Sequence, residues 1–235
     1  MIYIPSDTFV SAYKKLIREI VWRHEEIITE DKELTWESEA MVIQVSNPCR
    51  DLNELIRVGP YGKKFMCDYA DEIIKGKGDS DFDYTYHERI FEHVGVSGRK
   101  VNVIHTDTFN QITYIVNKLM DAPESRRAVA ITLQPGLCSV LQHDNTLVEF
   151  GDYGTKTIPC LQFLQFLIRK NQLNMYVVWR SRDMLMGFPA NVFGMNHLHE
   201  LVSSKLNVDI GSYTEFVVSP HIYFKRDSDE LKKWM

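Results

Sequence analysis

The stretch Thr157-Ile158-Pro159-Cys160, running on through Leu161-Gln162-Phe163-Leu164-Gln165-Phe166-Leu167-Ile168, then Arg169-Lys170-Asn171-Gln172, then Leu173 to Arg180, decides the fold. Two apolar runs of strand length flank a short polar turn, so they read as a β-hairpin. A hairpin returns Arg180 to the start of its first strand, beside Cys160. Pro159 before the cysteine and a strand after it put the thiol at a sheet edge.

Working outward, residues 192–206 carry Val192, Met195, Leu198, Leu201 and Val202 at helical spacing, and Phe216 to Val218 reads as a strand leading to His221. Upstream, Phe9, Ala12, Tyr13, Leu16, Ile17 and Ile20 form an amphipathic helix over 6–23 with Ser6 or Asp7 as its cap. Glu39 to Val45 reads as a strand stopped at Asn47-Pro48, and 65–75 as a helix. Gly76 to Asp81 is a polar loop, and a helical stripe from Phe109 to Leu119 ends near Pro123. Ala128 to Leu133 is a strand with Arg126-Arg127 at its mouth, and Gly136 to Gly154 is turn-rich. No linker or repeat divides the chain, which reads as one domain over 1–235. Helices mixed with hairpin-linked strands fit an α+β fold with a mixed or antiparallel sheet.

The bulk composition of the 235 residues, 44% hydrophobic and 25% charged, allows a substantial core. A net charge of -5 argues against a general nucleic-acid binder, which needs a basic surplus to neutralise phosphates. No apolar run nears the roughly 20 residues of a membrane span. No signal-peptide pattern opens the chain, so a cytoplasmic protein is expected. Cys49, Cys67, Cys138 and Cys160 lack the paired spacing of a zinc site or disulfide scaffold.

Among the residues able to carry chemistry, Cys160 has two readings. Free cysteines are often buried hydrophobes; beside a cation such as Arg180, the same thiol becomes a nucleophile. Arg126-Arg127 reads either as a solvated pair or as a fork for phosphate. His221 and Tyr223 share one strand face, and Asn191 either caps the helix it opens or reads the edge of a base. His197 and His199, two apart on a helix, point in different directions and do not suit a metal. Asp79, Asp81 and Asp83 alternate as calcium ligands do, but no acidic twelfth position completes that loop.

In order along the chain, Ser125-Arg126-Arg127, Pro159-Cys160, Arg180-Ser181-Arg182-Asp183, Gly187-Phe188-Pro189-Ala190-Asn191 and His221-Ile222-Tyr223 resemble the motifs of the thymidylate synthase and pyrimidine hydroxymethylase family. The match runs from about Tyr84 to Tyr223, and Leu161, where many members have histidine, resembles the compact archaeal or phage branch. Two departures are Val217-Val218-Ser219-Pro220 in place of a Gly-Gly-Asp stretch, and a short helix over 229–235 in place of a long closing segment. The resemblance implies a large twisted mixed sheet covered by helices and a sheet-to-sheet homodimer. In it Arg126 and Arg127 would reach across to the phosphate held by Arg180 and Ser181 of the other copy. It implies a pyrimidine nucleotide substrate, 5,10-methylenetetrahydrofolate or a modified folate as co-substrate, no metal, and no membrane or obligatory nucleic-acid partner. Cys160 would attack C6 of dUMP, Asn191 would hold the uracil, and His221 and Tyr223 the sugar. Tyr86 would help remove the C5 proton, Glu72 would order water at O4, and Asp183 would lie on the folate side. The expected function is a thymidylate synthase; a hydroxymethylase ending in water addition, or a nucleotide- or RNA-binding regulator, are the alternatives.

Overall fold

The computed structural model describes residues 1–76, 84–97, 105–135, 138–141, 147–154 and 157–235. Strand β1 (Ile2–Ser6) leads to α1 (Phe9–Trp22), the hairpin of β2 (Glu25–Ile28) and β3 (Leu34–Glu37), and β4 (Met41–Val45). Helices α2 (Leu52–Val58), α3 (Lys63–Lys75) and α4 (Tyr86–Phe91) follow, then β5 (His93–Ser97) and β6 (His105–Phe109), α5 (Gln111–Asp121) and β7 (Val129–Ile131). After β8 (Cys138–Leu141) and β9 (Leu147–Phe150) come β10 (Leu161–Arg169), β11 (Gln172–Asp183), α6 (Gly187–Leu206), β12 (Asp209–Ile222) and α7 (Ser228–Leu231). The fold is α+β. Its mixed sheet of eight strands runs β1-β4-β12-β11-β10-β7, with the β2–β3 hairpin joined to the end of β12.

The β10–β11 hairpin forms because its turn is chemically suited to it. Lys170 and Asn171 both take positive φ, 52° and 59°, which matches the twist of two strands joined by a two-residue loop. Through the middle of β10, β11 and β12 the side chains alternate between buried and less buried. Leu164, Phe166, Leu173, Met175, Val177, Trp179, Tyr213 and Val217 are buried together with Tyr13, Leu16 and Ile17 of α1, Ile112 and Ile115 of α5, and Met195 and Leu198 of α6. The opposite face is not covered to the same degree. Register places Val42, Phe216, Val178, Phe163 and Ile131 side by side across five strands, and all are half-buried or exposed. A single chain thus has one dry face and one open apolar face.

Several boundaries differ from those expected. Ser6 ends β1 and Asp7 accepts bonds from the Ser46 and Asn47 side chains, so Thr8 caps α1, in a reciprocal capping box with Ser11. Strand β1 was hidden by Pro5, which an edge strand tolerates. Helix α6 starts at Gly187, five residues ahead of Val192, because Pro189 sits in the first turn where its missing N–H costs nothing. Asn191 is therefore inside the helix, not its cap. Phe109 lies in β6 and Asn110 caps α5 by accepting the N–H of Thr113. Strand β12 is far longer than Phe216 to Val218 because buried Glu215 interrupts its apolar pattern without interrupting its ladder. The expected loop from Lys77 to Asp81, together with Asp83, lies outside the described residues.

Helix α3 packs on α6 at Gly194, where a Cβ would stand 2.5 Å from Ile73 Cδ1. On the sheet side of α6, fully buried His199 donates from Nε2 to the Leu173 carbonyl at 2.8 Å. Burial depresses its pKa to about 4. The unfolded chain then binds a proton that the folded chain refuses, so stability is lost as pH falls from ~6.5 toward about 4. Urea denaturation of His199→Gln at pH 7 and pH 5 should show a smaller loss on acidification than the wild type, by about 2 kcal/mol.

Candidate active site

Cys160 is held at the start of β10 by its neighbour strand. The Arg180 N–H donates to the Cys160 carbonyl at 2.9 Å, and the Arg180 guanidinium donates to the carbonyls of Pro159 (Nε, 3.1 Å) and Ile158 (Nη2, 2.5 Å). The Cys160 N–H donates to the Tyr84 hydroxyl at 3.4 Å. Tyr84 and Tyr86 lie with ring centroids 5.8 Å apart, and Tyr86 meets Trp179 edge-on at 6.0 Å. Thr85 and Glu88 form the capping box that sets Tyr86 at the start of α4. Burial pushes the Cys160 thiol up, and Arg180 and Arg182 pull against it. A net lowering by Arg180 is the sequence expectation; desolvation outweighs it here.

The parallel pairing of β11 with β12 brings the next group to the same end of the sheet. Ser181 lies opposite Ser219 and Asp183 opposite His221. His221 Nδ1 donates to the Ser219 carbonyl at 3.2 Å and lies 3.5 Å from Ser181 Oγ. Its ring meets Tyr223 edge-on at 5.1 Å. Asp183 Oδ1 accepts the N–H groups of Leu185 (3.0 Å) and Met186 (2.9 Å), while Oδ2 pairs with Arg226 at 2.8 Å. The Arg226 guanidinium lies 3.9 Å over the Tyr223 ring, tying the residues after β12 to the turn before α6. Burial raises the Asp183 carboxyl, opposed by those N–H groups and by His221 and Arg226.

Helices α6 and α3 supply the third wall. A Cβ on Gly187 would stand 3.5 Å from both Asn191 Oδ1 and Asp183 Cβ, so these two side chains face each other across a glycine. Asn191 Nδ2 donates to the Tyr69 hydroxyl at 2.6 Å. Tyr69 continues a stacked series with Phe65 (6.3 Å) and Tyr61 (4.1 Å from Phe65), and Phe65 is 46% exposed. Glu72 lies one turn beyond Tyr69, its carboxyl raised by burial. The buried Tyr86 hydroxyl is raised by burial and feels Tyr69, Tyr84 and Cys160, which links the α3 wall to the thiol.

Arg126 and Arg127 are elsewhere. The Arg126 carbonyl accepts from Gln165 Nε2 at 2.8 Å and that of Ala128 from Phe166, which puts Arg127 level with Leu167 on β10. Seven residues of strand separate Leu167 from Cys160, about 23 Å at ~3.3 Å per residue. Both side chains are exposed, and neither is ion-paired among the described residues. Tyr69, Tyr84, Arg182 and Arg226 join the site although motif reading assigned them no role. Their only sequence signal is position, as each stands within a few residues of a motif or helix that was recognised.

A clustered thiol, guanidinium, carboxamide and imidazole at the ends of adjacent strands suits covalent attack on a bound heterocycle carrying an anionic group. Residues 12–234 match the thymidylate synthase family model. The chain belongs to the thymidylate synthase family. It is 35% identical over 234 residues to a protein of Methanocaldococcus jannaschii named "Putative thymidylate synthase", covering all of this chain and 96% of the relative. A protein of the same name from Methanosarcina acetivorans is 27% identical over 87% of this chain and 82% of its own length. A "Thymidylate synthase" of Bacillus licheniformis matches at 26% over 54% of this chain and 40% of its own. The Methanocaldococcus jannaschii relative thus aligns end to end with this chain, consistent with an archaeal-type branch. Among the described residues no helix is long and apolar enough to cross a membrane, and no three His, Cys, Asp or Glu side chains are grouped for a metal.

Without ligand, iodoacetamide at pH 7 should modify exposed Cys67 ahead of Cys160, and Cys160 should catch up as pH rises, because a raised thiol pKa delays thiolate formation. Peptide mass spectrometry of the time course reads this; Cys160 labelled first at pH 7 would contradict it.

Proposed function

We propose that this chain is a thymidylate synthase acting as one domain in a homodimer, converting dUMP to dTMP with a methylene-folate. The observation that carries the reading is the linkage of three elements around Tyr86: it feels both Cys160 and Tyr69, Tyr69 takes the Asn191 amide, and Arg180 bonds the Cys160 carbonyl. Cys160 Sγ adds to C6 of the uracil, and the C5–C6 electron pair moves toward C4 and its oxygen. Asn191, oriented by Tyr69, holds N3 and O4 as charge develops there. Arg180 and Ser181 take the phosphate, and His221 with Tyr223 takes the sugar hydroxyl. C5 bonds to the one-carbon unit; Tyr86 then assists removal of the C5 proton as the bond between that carbon and the folate nitrogen breaks, with Glu72 ordering water at O4, and Sγ leaves as hydride reaches the exocyclic carbon.

A folate fits the residues present. The stacked series Tyr61, Phe65 and Tyr69 offers flat apolar rings to a flat heterocycle, and Asp183 offers a buried carboxylate beside it. The folate supplies the carbon and, for dTMP, the hydride.

The homodimer is supported by the open apolar row Val42, Phe216, Val178, Phe163 and Ile131, and by the distance of Arg126 and Arg127 from Cys160 in one chain. A two-fold contact through that face would deliver both arginines to the other copy's phosphate.

Incubation with dUMP and methylenetetrahydrofolate should yield dihydrofolate and dTMP by mass, and Cys160→Ser should lower kcat by at least ~10³-fold. Hydroxymethyl-dUMP without dihydrofolate would replace the hydride step by water addition. Mixing inactive Cys160→Ser with inactive Arg126→Ala/Arg127→Ala should restore roughly a quarter of wild-type activity through hybrid dimers; no restoration would mean that each copy works alone.

A further inference from the structure

Beneath the site lies a buried ion pair that the reaction as described does not use. Arg182 is 2% exposed and Glu215 fully buried; Arg182 Nη1 donates to Glu215 Oε2, and the same oxygen accepts the Tyr213 hydroxyl at 2.6 Å. The guanidinium is layered between Trp179, 4.3 Å from the ring centroid, and Phe188, at 4.8 Å, with Nη2 donating to the Phe188 carbonyl at 3.3 Å. By strand alternation Arg182 belongs on the open face with Val178 and Arg180. It is turned under the sheet end instead, into the covered face where Glu215 points. The pair is also incomplete. Arg182 Nε and Glu215 Oε1 are both buried without a hydrogen-bond partner among the described residues. An ion pair of this kind is a poor source of stability, since desolvation of both charges offsets their attraction and a well-packed apolar pair does as well.

Its orientation indicates a use. Trp179, on which Arg182 lies, meets Tyr86 edge-on, and Tyr86 neighbours Tyr84, whose hydroxyl receives the Cys160 N–H. Arg182 lies two residues beyond Arg180, whose N–H bonds the Cys160 carbonyl, and its charge favours the thiolate, while Glu215 bonds Tyr213. The cation of the pair thus stands on the Cys160 side and the anion on the Tyr213 side. The groups facing the thiol are Arg180 and Arg182 from β11, Tyr84 and Tyr86 at α4, and Tyr223 after β12. Two of the five are cations. Arg180 is exposed, and in the function proposed above it is the residue that meets the nucleotide phosphate, whose charge cancels its pull on sulfur. Arg182 is sealed from any phosphate.

We propose that Arg182 is a positioning residue for catalysis: its buried guanidinium, oriented by Glu215 and held between Trp179 and Phe188, keeps a positive charge directed at Cys160 when Arg180 is occupied by substrate. The inference rests on the proposed function only for the occupant of Arg180.

Iodoacetamide labelling of the ligand-free, full-length protein across pH, with Cys49 and Cys67 as internal references, tests it without turnover. The double variant R182M/E215M keeps the buried volume apolar and should fold. Its Cys160 half-reaction pH should rise by about one unit, giving roughly ten-fold slower labelling at neutral pH. E215Q removes the anion but keeps the cation, so its half-reaction pH should fall; R182K should stay near wild type. A merely structural role would move the double variant and E215Q in the same direction. That result, or a double variant with the wild-type profile, overturns the proposal, and if E215Q does not fold the double variant decides alone. Inorganic phosphate as the Arg180 occupant should slow wild-type Cys160 labelling in part and the double variant's further. A wild type indifferent to phosphate would sink the assignment of Arg180 while the double variant still decides that of Arg182.

Discussion

Everything at the site depends on the parallel pairing of β11 with β12. Parallel neighbours cannot be joined by a tight turn, so the chain must cross over the sheet between them, and α6 is that crossover. The end of β11 therefore supplies Arg180, Ser181 and Asp183, the first turns of the crossover supply Asn191, and the end of β12 supplies His221. The pairing of Asp183 with His221 sets all three in register. A slip of one residue in either strand would invert that strand alone and carry Ser181 and His221 to opposite faces.

Much of this was legible because it is local. The hairpin could be read from two apolar runs and a polar turn, and it is sufficient to bring Arg180 to Cys160. The family motifs fall at the ends of strands and the start of a helix, where short sequences carry most information. What was not legible depends on burial. Glu215 reads as a break in a strand because nothing near it in sequence reveals Arg182 as its partner 33 residues away. Likewise Tyr69 gains its meaning only once Gly194 lets α3 approach α6. Pro5 and Pro189 mislead for the opposite reason, as both occupy the rare places where proline is harmless.

Around Cys160 two physical effects oppose each other. Burial beside Tyr84 and Tyr86 disfavours the thiolate, whereas Arg180 and Arg182 favour it. The balance leaves sulfur protonated in the empty site. A thiol held in that form is protected from oxidants, which attack the thiolate. Asp183 shows the same opposition, a carboxyl raised by burial and restrained by Arg226 and two backbone N–H groups.

The strand order has a consequence for how the chain is made. β12, the latest of the described strands to be synthesised, takes the centre of the sheet between β4 and β11, so segments about 170 residues apart meet along one ladder, as Tyr213 does with Val45. Until residue 222 has emerged, β1 and β4 have no sheet to join, and the apolar side of α1 has no floor. The fold therefore closes as a single late event dominated by contacts distant in sequence, and a growing chain must keep its first forty-five residues soluble without their partner strand.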